Sequence, residues 1–417
     1  MRWVRTKARA GSAGRLALLW LAGMDLRVTL LALPPLLPLV SADLGLDRAA
    51  VGALTNLPVL LLGLASVLGS AIIGRLGASR ALLVGLVTVA LAGALRGAGA
   101  DTAVLFAMTF AMGVGIAVLQ PALPTLVRQW LPGAVGPATA LYGNGLLVGE
   151  ALAASITLPA VLPHTGSWEA SLAVWSAPVA LAAGLAAWVT RRAEPPPLAG
   201  RGEAGAAPAE DGTPRPAGPP APAQATTSWP DLGDSRVWKL GLVQGGASAA
   251  YFATNTFLPG YLHALGSPGL VSPTLAALNV SQLPASILLL LLSRRLVGPR
   301  WPLLGLGGIL LVASVGLLAA PPPVLLAPVV AIGFSSSLLL LLTLALAPVW
   351  AGREEVARLS AGMFSVGYTL AFALPVLGGV ASDVSGSLTM TLVPALVGAV
   401  LVGVSALTLG AGGPLRG

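Results

Sequence analysis

Residues 16–40 read LALLWLAGMDLRVTLLALPPLLPLV, and Asp25 and Arg27 are the two charged side chains in this stretch. A helix needs about 20 mostly apolar residues to cross a hydrocarbon core roughly 30 Å thick. Basic residues precede the stretch, as in a secretory signal peptide. The apolar run is too long for a signal core, however, and it has no convincing small-residue cleavage site before Pro34. We therefore predict that these residues form a first membrane helix.

Similar apolar runs recur along almost the whole chain. Of the 417 residues, 56% are hydrophobic and 9% are charged, whereas soluble domains carry about 25% charged residues. Proline occurs inside several runs, but neighbouring helices in a membrane bundle satisfy the carbonyl groups that it leaves free. The sequence therefore predicts an all-α membrane protein with twelve transmembrane helices, at residues 16–40, 49–74, 79–100, 102–130, 134–162, 168–190, 236–264, 271–296, 301–320, 322–350, 354–382 and 386–410.

The composition excludes several kinds of function. Cysteine is absent and there are two His residues, which excludes cysteine nucleophiles, thiolate metal sites and histidine clusters. The sequence has no phosphate-binding loop for ATP, and we expect no enzyme activity, no cofactor and no metal. The net charge of +8 does not indicate nucleic-acid binding, because the basic residues separate the apolar runs instead of forming one surface.

The basic residues instead predict how the chain lies in the membrane. With the N-terminus inside, 20 of the 23 Lys and Arg residues fall in cytoplasmic segments. Arg48 and Arg96 fall on the other side, and Arg27 lies within the first helix. This bias is typical of a multi-pass protein of the cell (inner) membrane with both termini cytoplasmic.

Residues 191–235 differ from the rest of the chain. They are rich in Pro, Ala and Gly with interspersed charge, a composition that does not bury enough apolar surface to fold. We interpret them as a disordered cytoplasmic linker, and a plain tether is favoured over a regulatory segment. The predicted domains are a six-helix bundle at 1–190, the linker at 191–235 and a second six-helix bundle at 236–417.

The two predicted bundles resemble each other in sequence. The segment GRLGASRALLVGL after the second helix aligns with RRLVGPRWPLLGL after the eighth, with an offset of 220 from Arg75 to Arg295. Asn56 in the second helix aligns with Gln282 in the eighth, each followed by Leu-Pro, with an offset of 226. Tyr142 aligns similarly with Phe364. Three echoes in the same order indicate an internal repeat of six helices.

The sequence resembles the major facilitator superfamily, and within it the branch of cyanate and 2-nitroimidazole permeases. The resemblance rests on DLRVTLLALPPLLPLV in the first helix, GIAVLQPALPTLV in the fourth and GMFSVGYTLAFALPVLGGVASDVSG in the eleventh. It covers nearly the whole chain except the linker. It implies two six-helix halves with a solute site between them near the membrane midplane.

The sequence departs from that family at three places. Asp25 replaces the Asn that usually precedes Leu-Arg, and Gly74 replaces the Asp of the loop after the second helix. Arg75, Gly77 and Arg80 of this gating loop remain, so the loop is expected to latch the halves without its usual carboxylate. Glu150 stands where the branch is usually small and apolar.

Three charged residues, Asp25, Arg27 and Glu150, are predicted to lie at membrane depth, where a charge costs about 2.5–3.5 kcal/mol on insertion scales. Arg27 lies 12 residues after Arg15, about 18 Å along a helix and so near the midplane. We expect Arg27 to bind a small anion or polar oxygen, and its alternative role is an ion pair with Glu150 or Asp25. Asp25 is either a proton-coupling site or a hydrogen-bonding partner of a neighbouring helix. Glu150 is either a second proton-coupling candidate or a structural partner of Arg27.

The seventh helix carries a polar stripe, because Gln244, Ser248, Tyr251 and Asn255 recur on one helical face. A polar face is unfavourable against lipid, so we expect it to line the central cavity, with hydrogen bonding between helices as the alternative. The complete set of predicted solute-binding residues is Arg27, Asn56, Gln120, Tyr142, Gln244, Tyr251, Asn255, Gln282, Phe364 and Tyr368.

These features predict a secondary active transporter that moves a small polar or anionic solute by alternating access, with proton coupling. Its expected partners are the solute and the lipid bilayer, not nucleic acid, and the protein is expected to be a monomer. A drug-efflux antiporter for amphiphilic compounds is a second hypothesis, which the aromatic content of 5% and the presence of Arg27 disfavour. A membrane sensor or scaffold that transports nothing is a third.

Overall fold

The computed structural model describes residues 2–99, 101–192, 231–351 and 355–409, and in these ranges the chain folds into helices without β-strands. The α-helices, in chain order, are α1 Arg2–Leu31, α2 Leu37–Leu44, α3 Arg48–Leu76, α4 Ala78–Leu95, α5 Thr102–Trp130, α6 Val135–Ile156, α7 Leu162–Thr165, α8 Trp168–Val174, α9 Ala177–Arg192, α10 Ser235–Ala264, α11 Val271–Val280, α12 Gln282–Leu296, α13 Trp301–Ala319, α14 Leu326–Trp350, α15 Val356–Ser385 and α16 Val393–Thr408.

The helices agree with the twelve predicted spans. In the described part of the chain, nine segments are long and apolar enough to cross a membrane, and Arg48–Gly63 and Val393–Thr408 are shorter apolar helices. The remaining predicted span, the seventh at 236–264, corresponds to α10, whose 30 residues include the predicted polar stripe. The all-α architecture with membrane-spanning helices is therefore confirmed.

Several predicted spans are interrupted where the sequence analysis drew one continuous helix. The first breaks between α1 and α2 at Pro34–Leu36, because Pro34 and Pro35 have no N–H to continue the hydrogen-bond ladder. The sixth divides into α8 and α9, and the eighth divides into α11 and α12 at Ser281. The predicted linker falls mostly on residues 193–230, which lie outside the described residues, while its two ends belong to α9 and α10.

Close packing of α1 against α6 depends on glycine. A methyl group added to Gly145 would overlap the carbonyl of Trp20, and one added to Gly149 would overlap the carbonyl of Met24. Gly23 on α1 approaches the backbone of Tyr142 in the same way. Small residues allow membrane helices to approach this closely. The contact positions Arg27, which lies about one turn after Met24, opposite Glu150, which directly follows Gly149.

The two halves of the chain meet along α3 and α15. A methyl group on Gly52 would lie 3.1 Å from the carbonyl of Pro375, and one on Gly63 would lie 3.4 Å from Cβ of Tyr368. The Ser365 hydroxyl donates to the Gly63 carbonyl at 3.3 Å. Residues 74–77, at the end of α3, are exposed.

We predict that Gly149→Ala destabilises the protein by about 1–3 kcal/mol, because the added methyl group forces α1 and α6 apart. Thermal unfolding of the purified protein in detergent measures this effect. Gly143→Ala is the matched control, since it lies on the same helix and a methyl group there meets no neighbouring atom. Equal stability of the two variants would contradict the importance of this contact.

Candidate functional site

An ion pair joins two helices of the N-terminal half where that half faces the other. Nε of Arg27 on α1 is 3.3 Å from Oε1 of Glu150 on α6, and their side chains are 13% and 5% exposed. This is the structural alternative that the sequence analysis considered for both residues. The pair is thus largely shielded from solvent, with Arg27 slightly more exposed than Glu150.

The second oxygen of Glu150 binds the other half of the protein. Nε2 of Gln282 donates to Oε2 of Glu150 at 2.6 Å, and the Tyr251 hydroxyl lies 3.1 Å from the same oxygen. The Gln282 amide also lies 3.0 Å from the Tyr251 hydroxyl. Glu150 therefore joins α6 of one half to α10 and α12 of the other.

The polar cluster continues through Asn279, which the sequence analysis missed. The Tyr251 hydroxyl is hydrogen-bonded to Oδ1 of Asn279, and Nδ2 of Asn279 donates to Oδ1 of Asn255 at 3.1 Å. Asn279 lies three residues before Gln282 on the same predicted span, and the rule that selected the other polar residues in membrane helices would have identified it.

An aromatic pair lies at the edge of the cluster. The rings of Phe364 and Tyr368 on α15 stack with centroids 5.6 Å apart and planes 6° apart. The Tyr368 hydroxyl lies beside the Arg27 guanidinium group. The structure thus brings together six of the predicted solute-binding residues, Arg27, Tyr251, Asn255, Gln282, Phe364 and Tyr368, with Glu150 among them.

The other predicted solute-binding residues lie elsewhere. Nδ2 of Asn56 donates to the Gly52 carbonyl at 2.9 Å and lies 3.3 Å from the Thr256 hydroxyl, which places Asn56 at the seam between the halves. Gln244 is buried against Gly367 of α15. Gln120 is half-buried on α5, and Tyr142 packs its backbone against α1.

The remaining predicted residues are also outside the cluster. Asp25 is fully buried, and neither carboxylate oxygen has a hydrogen-bond partner among the described residues. Arg75, Gly77 and Arg80 are exposed, and Gly77 has a φ of 78°, a turn conformation that favours glycine. In this conformation neither arginine of the gating loop forms an ion pair with any residue that the structure describes.

Asp383 forms a charged contact between the halves that the sequence analysis missed. At the end of α15, its oxygens accept from the backbone N–H groups of Arg48 and Ala49 at 3.2 and 2.9 Å. Nη1 of Arg48 is 3.5 Å from the same carboxylate. A carboxylate of one half therefore caps the first turn of helix α3 in the other half, where the helix dipole favours negative charge.

An ionic cluster at the opposite end of the molecule lies within the C-terminal half. Arg236 binds Asp234 at 2.8 Å and Glu355 at 3.3 Å, and it donates to the Trp350 carbonyl at 2.8 Å. The side-chain hydrogen bond from Arg236 lowers the pKa of Asp234 below its ordinary value. At this end, no hydrogen bond or ion pair joins the two halves in the described ranges.

We predict that Glu150→Ala destabilises the protein by about 3 kcal/mol, because it leaves the Arg27 cation without its counter-charge. In an Arg27→Met background the same substitution should cost less, since only neutral hydrogen bonds are then lost. Thermal unfolding of the two single variants and the double variant gives the coupling free energy of the pair. Additive effects would show that the pair does not stabilise the fold.

We predict that Asp383→Ala weakens the contact between the halves and exposes the α3–α15 seam. The natural chain has no cysteine, so Thr256→Cys, at a position buried beside Asn56, reports on opening through its rate of maleimide labelling. We expect that rate to rise several-fold in Asp383→Ala.

Asp101→Ala is the control for this experiment, because Asp101 caps helix α5 with two similar hydrogen bonds, at 2.7 and 3.1 Å, but within one half. A similar rise in both variants would mean that loss of a helix cap, rather than release of the halves, causes the labelling.

Two bundles of membrane helices that meet around a buried polar cluster define the class of this protein as a membrane transporter with two halves. Residues 16–296 match the Major Facilitator Superfamily, so the chain belongs to that superfamily. It is therefore a secondary transporter of a small solute and not an enzyme. The superfamily that the sequence analysis recognised is confirmed.

Two relatives extend over most of the chain. The uncharacterized transporter YycB of Bacillus subtilis (strain 168) is 28% identical over 383 residues, which cover 91% of this chain and 89% of that protein. The cyanate transport protein CynX of Escherichia coli (strain K12) is 27% identical over 385 residues, 90% of this chain and 91% of that protein. The predicted resemblance to cyanate and 2-nitroimidazole permeases is therefore confirmed.

A solved structure shows the same fold. It is a bacterial homolog of the human lysosomal transporter Spinster in an inward-facing and occupied conformation, with a TM-score of 0.69 and 14% identity. The match covers 95% of this chain and 97% of that chain. The chain thus has the twelve-helix fold of major facilitators.

Proposed function

We propose that the protein transports a small monovalent anion of the size of cyanate, with Arg27 as its anchor. The observation that carries this proposal is the largely buried guanidinium group of Arg27, whose partner Glu150 also contacts polar side chains of the other half. A guanidinium group binds anionic oxygens by charge-assisted hydrogen bonds. The similarity to a cyanate transport protein supports an anion of this size.

The neighbours of Arg27 suit a small polar solute. Gln282, Asn279 and Asn255 are amides that both donate and accept hydrogen bonds, and they already form a chain of contacts ending at Glu150. Tyr368, beside Arg27, offers a hydroxyl group. An efflux site for large amphiphiles needs a wider apolar surface, whereas the residues that meet here are mostly polar.

Proton coupling is the second part of the proposal. Arg27 and Glu150 already balance each other in charge, so an anion bound beside them adds a negative charge in a poorly hydrated site. A proton carried with the anion restores the balance. Asp25 and Glu150 are the buried carboxyl groups, among the residues that the structure describes, that are available to carry it.

The same proposal includes the orientation of the chain. The protein lies in the cell (inner) membrane as a monomer, with both termini cytoplasmic and 193–230 inside a cytoplasmic linker between the halves. In that orientation Asp383 marks the external end, where the halves are in contact, and Arg75 and Arg80 mark the cytoplasmic end. The conformation described here then opens toward the cytoplasm.

We predict that Arg27→Ala reduces the affinity for cyanate at least tenfold, because a hydrogen bond to a charged group contributes about 1.5–3 kcal/mol. Counterflow of labelled cyanate in proteoliposomes measures this loss. Arg27→Lys should retain part of the affinity, since it keeps the charge but not the guanidinium geometry. Full activity of Arg27→Ala would exclude Arg27 as the anchor.

Gln120→Ala is the control, because Gln120 is a polar membrane residue outside the cluster.

Deletion of residues 195–225 separates transport from a sensor or scaffold function. A transporter tolerates the deletion, whereas a protein that signals through this segment loses its function.

A further inference from the structure

A second polar cluster lies inside the N-terminal half, apart from the Arg27–Glu150 pair. Each of its members is at most 4% exposed. They come from four parts of this half: Asp25 and Thr29 on α1, Arg96 at the end of α4, Thr109 on α5 and Ser176 before α9. We call these five residues the inner polar cluster. The proposed solute site uses none of them.

Helical geometry separates the inner polar cluster from the solute site. Asp25 and Arg27 are two residues apart on α1 and therefore project about 200° apart around the helix. Thr29 lies one turn after Asp25, on the same face as Leu18 and Ala22, which are fully buried. Arg27 points toward α6, so Asp25 and Thr29 point into the interior of the N-terminal half.

Arg96 is held at the break in the first membrane helix. Its Nη1 donates to the Thr29 carbonyl at 2.9 Å and lies 3.4 Å from the Met112 sulfur. The α-helix ends at Leu31, so the Thr29 carbonyl is free to accept from a side chain. Gly93, one turn before Arg96, brings the parts together, since a methyl group there would lie 3.7 Å from Thr29 and 2.5 Å from the Ser176 hydroxyl.

Most polar atoms of the inner polar cluster have no hydrogen-bond partner among the described residues. These atoms are both oxygens of Asp25, the hydroxyl groups of Thr29, Thr109 and Ser176, and Nε of Arg96. Buried polar atoms in proteins are paired in about nine cases of ten. Several such atoms on helices that pack against one another indicate a place for internal water, which bridges buried polar groups that lack protein partners.

The charges of the N-terminal half suit a proton site here. The helices packed on α1 contribute Glu150, which is paired with Arg27, and Arg96, while Asp101 on α5 and Glu169 on α8 lie at the same end as Arg96. Arg80, Arg128 and Arg191 lie at the opposite end of α4, α5 and α9. Among the described residues, Asp25 is thus the carboxyl group that belongs to the inner polar cluster.

We propose that the inner polar cluster is a hydrated proton path that leads from the Arg96 end to Asp25, separate from the route of the solute. This inference rests on the proposed function and names Asp25, rather than Glu150, as the carrier of the coupling proton. A hydronium ion gives its proton to the Asp25 carboxylate, which forms a neutral carboxyl group and a water molecule. Glu150 retains its contacts to Arg27, Gln282 and Tyr251.

Charge balance predicts the stoichiometry. With Asp25 and Glu150 ionised, the buried charges of Asp25, Arg27, Arg96 and Glu150 sum to zero. One bound anion and one proton on Asp25 return the sum to zero. Transport is therefore an electroneutral symport of one anion with one proton, which a pH gradient drives and a membrane potential does not.

Proteoliposomes containing the full chain and labelled cyanate test this inference. The wild type should exchange cyanate in counterflow and accumulate it about tenfold for each unit of inwardly directed pH gradient, with no response to an imposed potential. Asp25→Asn should retain counterflow within about twofold and lose accumulation. Accumulation by Asp25→Asn equal to that of the wild type would overturn the inference.

Variants of the path separate conduction from structure. Thr29→Val and Ser176→Ala should slow pH-driven uptake several-fold without changing counterflow. Thr190→Val is the matched control, because Thr190 hydrogen-bonds the Ala186 carbonyl of its own helix at 2.8 Å. Equal slowing in all three variants, or in none, would overturn the proposed path.

A measurement without solute distinguishes failure of this inference from failure of the proposed function. In infrared difference spectra recorded against pH, the purified protein should show a carboxylic acid band that is lost in Asp25→Asn and Asp25→Thr and retained in Glu150→Gln. The absence of a band that depends on Asp25 would overturn the inference even where cyanate is transported. The presence of the band without cyanate counterflow would support the proton site and reject cyanate as the solute.

Discussion

The contacts of the Glu150 carboxylate organise the centre of this protein. A buried carboxylate is stable only when its charge is balanced and its oxygens accept hydrogen bonds. Arg27 balances the charge, while Gln282 and Tyr251 occupy the second oxygen. The glycines of α6 allow α1 to approach closely enough for this pair to form. The close packing of α1 against α6, the ion pair with Arg27 and the contact between the halves therefore all involve Glu150.

The arrangement of these contacts suits two halves that move against each other. The ion pair lies entirely within the N-terminal half. The contacts that Glu150 makes across the interface are with a neutral amide, that of Gln282, and a neutral hydroxyl group, that of Tyr251. Separating a buried ion pair leaves uncompensated charge and costs about 3–5 kcal/mol, whereas a hydrogen bond to a charged group contributes about 1.5–3 kcal/mol. The interface opens more easily because its ion pair does not straddle it. The Asp383 contact, which does cross the seam, involves a partly exposed pair, where solvent lowers the energy of separation.

The sequence predicted the helices better than the contacts between them. Apolar length is a local property, and the predicted span 102–130 coincides with α5. Tyr251 and Asn255, which the helical period puts on one face, both belong to the cluster. Gln244 shares that face but meets Gly367 of α15, because the partner of a side chain depends on how neighbouring helices cross. Arg96 and Asp383 lie near helix ends, where sequence alone suggests a solvated charge, and their roles follow from tertiary packing.

Residues that align in the internal repeat do not have equivalent contacts in the structure. Asn56 and Gln282 occupy equivalent positions in the repeat, yet Gln282 contacts Glu150 and Asn56 lies at the seam beside Thr256. In the described part of the chain, the charged side chains that are buried or nearly buried, Asp25, Arg27, Arg96 and Glu150, all belong to the N-terminal half. The buried polar side chains of the C-terminal half are neutral. The two halves share a fold but differ in their buried side chains. The N-terminal half holds the charges, and the C-terminal half supplies the neutral hydrogen-bonding groups that we expect to exchange partners as the halves move.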